Sequence, residues 1–139
     1  MKTVLQLLEK AGGYRREFYL RIENPPYLPL VIEATPEPGP LGSPGLSVAH
    51  YGEQNGDLMR DPEMCFELTK APLARAELVP YYWRNDYVGV EQYSRLLADG
   101  NYIFHPDLFA QHERFAAEWD RNLRSQGIIQ AFDKRHTQR

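Results

Sequence analysis

Short segments of alternating polarity, each cut off by proline, glycine or a tight-turn pair, fill the middle of this chain and restrict it to an antiparallel sheet. In 16–22, Phe18, Leu20 and Ile22 alternate with Glu17, Tyr19 and Arg21, the pattern of a strand with one buried face. A second strand is expected at 28–34, after the break Asn24-Pro25-Pro26. Two more are expected at 46–51 and 64–69; in the latter, Met64, Phe66 and Leu68 share one face, Cys65 and Glu67 the other. Pro62 has no amide N–H to give a ladder, so this strand is expected to start after it. Segments 77–84 and 87–93 read as a hairpin about Asn85-Asp86, and 96–97 turns at Asp99-Gly100 into 102–104. Connections this short join antiparallel neighbours. The Pro- and Gly-rich stretch 36–45 cannot be regular structure; a surface loop inside one domain is favoured over a linker.

Helices are expected at both ends. Thr3 and Gln6 have capping-box spacing, Val4, Leu5, Leu7, Leu8 and Ala11 form an apolar stripe, and Gly12-Gly13 supplies a stop. The longer helix starts near Pro106 with Asp107 at its positive end. Leu108, Phe109, Phe115, Ala116, Trp119 and Leu123 recur at helical spacing up to Gly127. His112, Glu113, Glu118, Asp120, Arg121 and Arg124 read as its solvated face, with Asp120 and Arg124 placed to pair. The expected fold is α+β, two-layer: a mostly antiparallel sheet of five to seven strands with an N-terminal and a long C-terminal helix. Residues 1–130 would form a single domain and 131–139 a flexible polar tail.

The 139 residues suffice for one real core. A net charge of −3 gives no global case for nucleic acid or an anionic membrane. No apolar run is long enough to span a bilayer. The single cysteine, Cys65, rules out an internal disulfide and points to a reducing cytoplasm.

The densest polar stretch, 52–63, lies between two segments that look buried. His50 with Asp57, Asp61 and Glu63 could bind a divalent metal or supply an acid–base pair. Turn chemistry is the competing account: Asn55-Gly56 is a tight-turn pair, and Asp61-Pro62 starts a turn with Asp61 bonding backbone amides. That account is favoured, and no metal or other cofactor is implied. His50, Glu53, Asp57, Asp61 and Glu63 remain candidates for a binding surface. The second candidate surface mixes aromatics and cations, Tyr81, Tyr82, Trp83, Arg84, Tyr87, Tyr93 and Arg95, and of these Trp83, Arg84 and Tyr87 are binding candidates together with Asp86. Cross-strand packing in a hairpin accounts for it better than base stacking, while exposed Tyr, Trp and Arg also suit a protein-binding face. Nucleic-acid binding would require Arg15, Arg16, Arg21, Arg84 and Arg95 to gather on one face. Cys65, inside a strand, is expected to be inert.

The segments YLPLVIE (27–33), LSVAHYGEQNGDLMRDPEM (46–64), WRNDYVGVEQ (83–92) and FAAEWDRNLRSQG (115–127) resemble an uncharacterised bacterial domain-of-unknown-function family carried on plasmids, phages and integrative elements. That resemblance implies context rather than chemistry. The expectation is a small accessory protein of a mobile element that binds a host or element-encoded protein, such as a restriction or CRISPR component. A non-enzymatic role is favoured; the alternative is a small metal-dependent enzyme using His50, Asp57, Asp61 and Glu63. Oligomeric state is left open.

Overall fold

The alternating segments pair in chain order into one sheet, and the helices collect on a single face of it. A computed structural model describes residues 1–70 and 75–137. Helix α1 (Lys2–Lys10) leads into β1 (Tyr19–Asn24), β2 (Tyr27–Ala34), β3 (Gly45–Gln54), β4 (Asp57–Thr69), β5 (Glu77–Asn85) and β6 (Val90–Tyr93). These six strands form an antiparallel sheet in the order β1-β2-β3-β4-β5-β6. A separate two-stranded ribbon, β7 (Arg95–Ala98) and β8 (Asn101–Phe104), precedes α2 (Pro106–Ser125) and α3 (Ile128–Thr137). The fold is α+β, as expected. No described helix is long and apolar enough to cross a membrane.

The core lies between the helices and one sheet face. Leu20, Ile22, Leu30, Ile32, Leu46, Val48, Met64 and Phe66 meet Val4, Leu7 and Leu8 of α1, Trp119 and Leu123 of α2, and Ile128 and Phe132 of α3. A nine-residue helix is marginal in water. Full burial of an apolar side chain contributes roughly 1.5–3 kcal/mol, so Val4, Leu7 and Leu8 suffice to hold α1 in place.

Four local expectations are corrected. Thr3 does not cap α1; the N-cap is Met1, and the Thr3 amide donates to Asp120 Oδ1 of α2 at 2.8 Å. Asp120 is thereby used between helices rather than paired with Arg124, which instead reaches Gln6 Oε1 at 3.4 Å. The tail expected from 131 is helical through Thr137, because Ile128 and Phe132 recur at helical spacing and are buried; its last two residues lie outside the described ones. His112 is buried, not solvated. Its Nδ1 meets Ser94 Oγ at 2.9 Å and its Nε2 meets Gln92 Oε1 at 3.1 Å, which satisfies both ring nitrogens. Its position three, four and seven residues before Phe115, Ala116 and Trp119 carried that signal.

A further correction concerns the polar insert. Strand β4 does not begin after Pro62 but runs from Asp57, so 52–63 is mostly paired strand rather than loop. Asn55 and Gly56 make the two-residue turn, both at positive φ (53° and 85°), as the sequence indicates. Pro62 is accommodated by a bulge: Ala49 pairs with Glu63 and Tyr51 with Arg60, so Asp61 and Pro62 together oppose His50.

Across β4 from the core-facing Met64 and Phe66, Glu67 and Arg95 form a buried ion pair, Oε1 to Nη1 at 2.7 Å, with 1% and 4% of their side-chain surfaces exposed, and the guanidinium lies 5.9 Å from the ring centroid of Phe109 in α2. Arg95 also donates to the Pro80 carbonyl at 3.0 Å and the Val79 carbonyl at 3.2 Å. Glu67 Oε2 accepts from the Leu41 and Ser43 amides, each at 3.1 Å, and so pins the Pro/Gly-rich loop onto the sheet. Gly39 lies so close to Glu67 that a Cβ there would collide with its side chain.

Removing one partner of such a pair leaves an uncompensated buried charge. Arg95→Met should therefore cost about 3–5 kcal/mol in chemical denaturation, whereas Arg21→Met, whose partner Glu23 is exposed, should cost under about 1 kcal/mol. Burial also lowers the pKa of both His112 and His50 below the ordinary 6.5. Well above pH 6.5 both are neutral, folded or unfolded. As pH falls through 6.5 toward the lowered folded values, the unfolded chain binds protons that the folded chain does not, and stability drops. Denaturation midpoints should fall between pH 7.5 and 5.5, and His112→Gln should flatten that fall.

Candidate functional site

The bulge at His50 decides which side chains of the polar stretch share a face. His50 turns toward the helices and packs on Trp119, ring centroids 5.4 Å apart. Its Nδ1 lies 3.1 Å from the Leu28 carbonyl and 3.4 Å from that of Pro29; carbonyls only accept, so this nitrogen carries the proton. Burial lowers its pKa, opposed by those two carbonyls and the charge of Asp61.

Glu63 lies on the opposite, helix-free face. Its Oε2 accepts from Ser47 Oγ at 2.5 Å and its Oε1 is 3.4 Å from Arg60 Nε. In a regular strand, residues three apart point to opposite faces; the bulge brings Arg60 and Glu63 to the same one. Asp57 and Glu53 stand exposed at the hairpin tip, opposite Gln54 and Leu58 respectively. His50, Asp57, Asp61 and Glu63 therefore do not converge. Among the described residues, no group of three His, Cys, Asp or Glu side chains is placed to hold a metal ion.

What converges is the β3–β4 hairpin with the β5–β6 connection. Asp86 is the hub. Its Oδ2 accepts from the Arg60 amide at 2.8 Å and its Oδ1 from Arg84 Nε at 2.7 Å. In return, the Asp86 amide donates to the Arg60 carbonyl at 2.9 Å. Burial opposes ionisation of Asp86, yet the Arg60 amide and the Arg84 guanidinium outweigh it and hold its carboxyl below the usual range. Arg84 also reaches Glu91 Oε2 at 3.4 Å, and Tyr82 donates to that oxygen at 2.6 Å.

The connection itself is set by Asn85. Its Nδ2 donates to Asp61 Oδ1 at 2.7 Å, while its Oδ1 accepts from the Tyr87 amide at 3.0 Å. Asp61 thus orients a neighbouring loop rather than bonding backbone amides of its own turn, as the sequence suggested. The Tyr87 ring lies over Gly52, where any Cβ would meet its hydroxyl. Tyr87 and Val88 of this connection remain large and exposed.

Several expected members fall elsewhere. Trp83 sits on the helix side against Phe115, centroids 5.7 Å apart, and is a core-facing residue rather than part of a binding surface. Arg95 is the buried partner of Glu67. Arg21 pairs with Glu23 at 2.8 Å and Arg15 stacks over Phe18 at 5.1 Å, so the five arginines do not form one cationic patch. Cys65 is buried, and that burial together with the charge of Glu63 pushes its thiol far above the thiolate range, as inertness requires.

Sequence reasoning missed Glu33 and Tyr51. Both lie on the helix-free face near Glu63, and burial followed by the charge of Glu63 raises both their pKa values. Glu33 faces Ser47 across β2–β3, and Tyr51 faces Arg60 across β3–β4. Only strand pairing brings these side chains together, so no local spacing could have announced them.

No curated protein and no solved structure matches the chain. A family match runs over residues 2–129, from α1 across the whole sheet to the start of α3. The chain belongs to the family described as a domain of unknown function, DUF6908.

Proposed function

We propose that this chain is a non-catalytic protein-binding module that engages its partner with the helix-free end of the sheet formed by the β3–β4 hairpin and the β5–β6 connection. One observation carries the reading: Tyr87 and Val88 stand exposed on a connection made rigid by the Arg60–Asp86–Arg84 network. Aromatic and aliphatic anchors beside arginines, held by ordered neighbours, are the composition and pre-organisation that protein interfaces favour. Monomeric surfaces otherwise expose large apolar groups singly.

The resemblance to plasmid- and phage-borne families sets the context of this proposal. The chain would be an accessory factor of a mobile element, and its partner a host or element-encoded protein. A counter-defence inhibitor, acting on a restriction or CRISPR component, fits a small protein that binds without catalysis.

Three variants test the surface without touching the core. Tyr87→Ala should weaken partner binding by on the order of 2 kcal/mol, roughly thirtyfold in Kd. Arg84→Glu should do the same by reversing a charge at the network's edge. Gly52→Ala should act indirectly, by unseating the Tyr87 ring. All three should keep the wild-type circular dichroism, and Tyr87→Ala the melting transition as well, whereas Arg84→Glu, which sets a third carboxylate beside Asp86 and Glu91, should lower it. The readouts are affinity capture from a host lysate and plating efficiency of phage or plasmid in defence-proficient cells. Absence of any specific partner, together with unchanged phenotype for all three, would sink the proposal.

A further inference from the structure

The β7–β8 ribbon is unlike the rest of the surface. All four residues of β8 are exposed, among them Tyr102 at 41%, Ile103 at 36% and Phe104 at 46%. The strand is four residues long and carries no charge, proline or bulge, three of the devices that protect an edge. The opposite edge of the molecule is protected: α3 packs along β1, and Arg135 donates to the Arg21 carbonyl. A two-stranded sheet is at best marginal by itself, and this one is anchored at its base by Arg95 and by Phe104 against Phe109.

The register fixes what the bare edge offers. The turn Asp99-Gly100 joins Ala98 and Asn101, the first pair of a two-residue hairpin, which is the hydrogen-bonded kind. Alternation then makes Leu96–Ile103 hydrogen-bonded as well, and the next such pair out, Ser94–His105, shows its bond at 2.9 Å. Tyr102 and Phe104 are the non-bonded positions, so their amides and carbonyls point away from β7. The free edge presents two complete donor–acceptor pairs, spaced two residues apart and centred on Ile103.

From this geometry we infer that β8 is a self-association edge whose partner is β8 of a second copy of this chain. An antiparallel copy placed about a twofold axis through Ile103 pairs Tyr102 with Phe104 of the partner, and Phe104 with Tyr102 of the partner, through four main-chain hydrogen bonds. Ile103 meets its own counterpart on the axis. The pairing is self-complementary, as a twofold interface requires. Because 101–104 is uncharged, two copies of a net-negative protein meet there without like-charge repulsion. The ribbon becomes a four-stranded sheet in which each copy supplies the strands that the other lacks. The contact is small, so the dimer is weak and dependent on concentration.

Light scattering after size-exclusion chromatography, and sedimentation over a range of concentrations, read the association directly. The full chain should shift reversibly from monomer to dimer. Ile103→Lys, which sets two like charges on the axis, should raise the dimer dissociation constant by about tenfold or more. Tyr102→Pro, which removes an outward amide, should do likewise, while Tyr19→Lys on the exposed face of β1 should not. Amide exchange at Tyr102 and Phe104 should slow as concentration rises. A chain that stays monomeric throughout, or a dimer indifferent to both Ile103→Lys and Tyr102→Pro, would overturn the inference.

Discussion

The buried pair Glu67–Arg95 is the constraint on which the assembly of this domain turns. Two charges with almost no exposure persist only when their desolvation is offset by close mutual contact and by further hydrogen bonds. Here each partner finds those bonds in a different part of the chain: Arg95 in the carbonyls of β5, Glu67 in the amides of the loop between β2 and β3. The loop, the middle of the sheet and the root of the β7–β8 ribbon are thereby tied at one point. That explains how a stretch as rich in proline and glycine as 36–45 can lie fixed across the sheet without regular structure of its own.

A second decision is made at the bulge where Asp61 and Pro62 oppose His50. Without it, β4 would continue in simple alternation and Arg60 would face away from Glu63. With it, Arg60 swings to the helix-free side, where it meets Glu63 and Asp86, while His50 stays against Trp119. One local irregularity therefore divides the polar stretch between a core-lining role and a surface network. It also separates the four side chains that, read in line, looked like one constellation.

The helices occupy only one face, and this asymmetry shapes the surface. The covered face is mainly apolar, with His112 and the Nδ1 of His50 hydrogen-bonded within it. The open face combines ion-paired arginines and carboxylates with tyrosines, of which Tyr82 is locked to Glu91. Asn85 shows how the two regimes connect: one end of its amide holds Asp61 and the other shapes the turn that exposes Tyr87.

The period-two pattern, the proline and glycine breaks and the long apolar stripe were enough to determine the α+β class, the antiparallel order and most strand positions, because those signals arise between residues close in the chain. The same holds for the Asn55-Gly56 and Asp99-Gly100 turns, where backbone conformation is a local property. Local reading failed where a partner lies far away. Thr3 matched a cap whose function Asp120 performs from 117 residues further on. The charges of 133–135 hid the buried Phe132, and His112 looked solvated until Ser94 and Gln92 were brought to it. Likewise, the concentration of polar residues near 52–63 was visible, but whether they converge was not. Facing in a sheet depends on register and bulges, and these are set by cross-strand partners and buried charges. The sequence by itself determined which segments are strands and helices; only the tertiary structure decided which polar side chains meet, since that choice rests on long-range pairing energy rather than on local propensity.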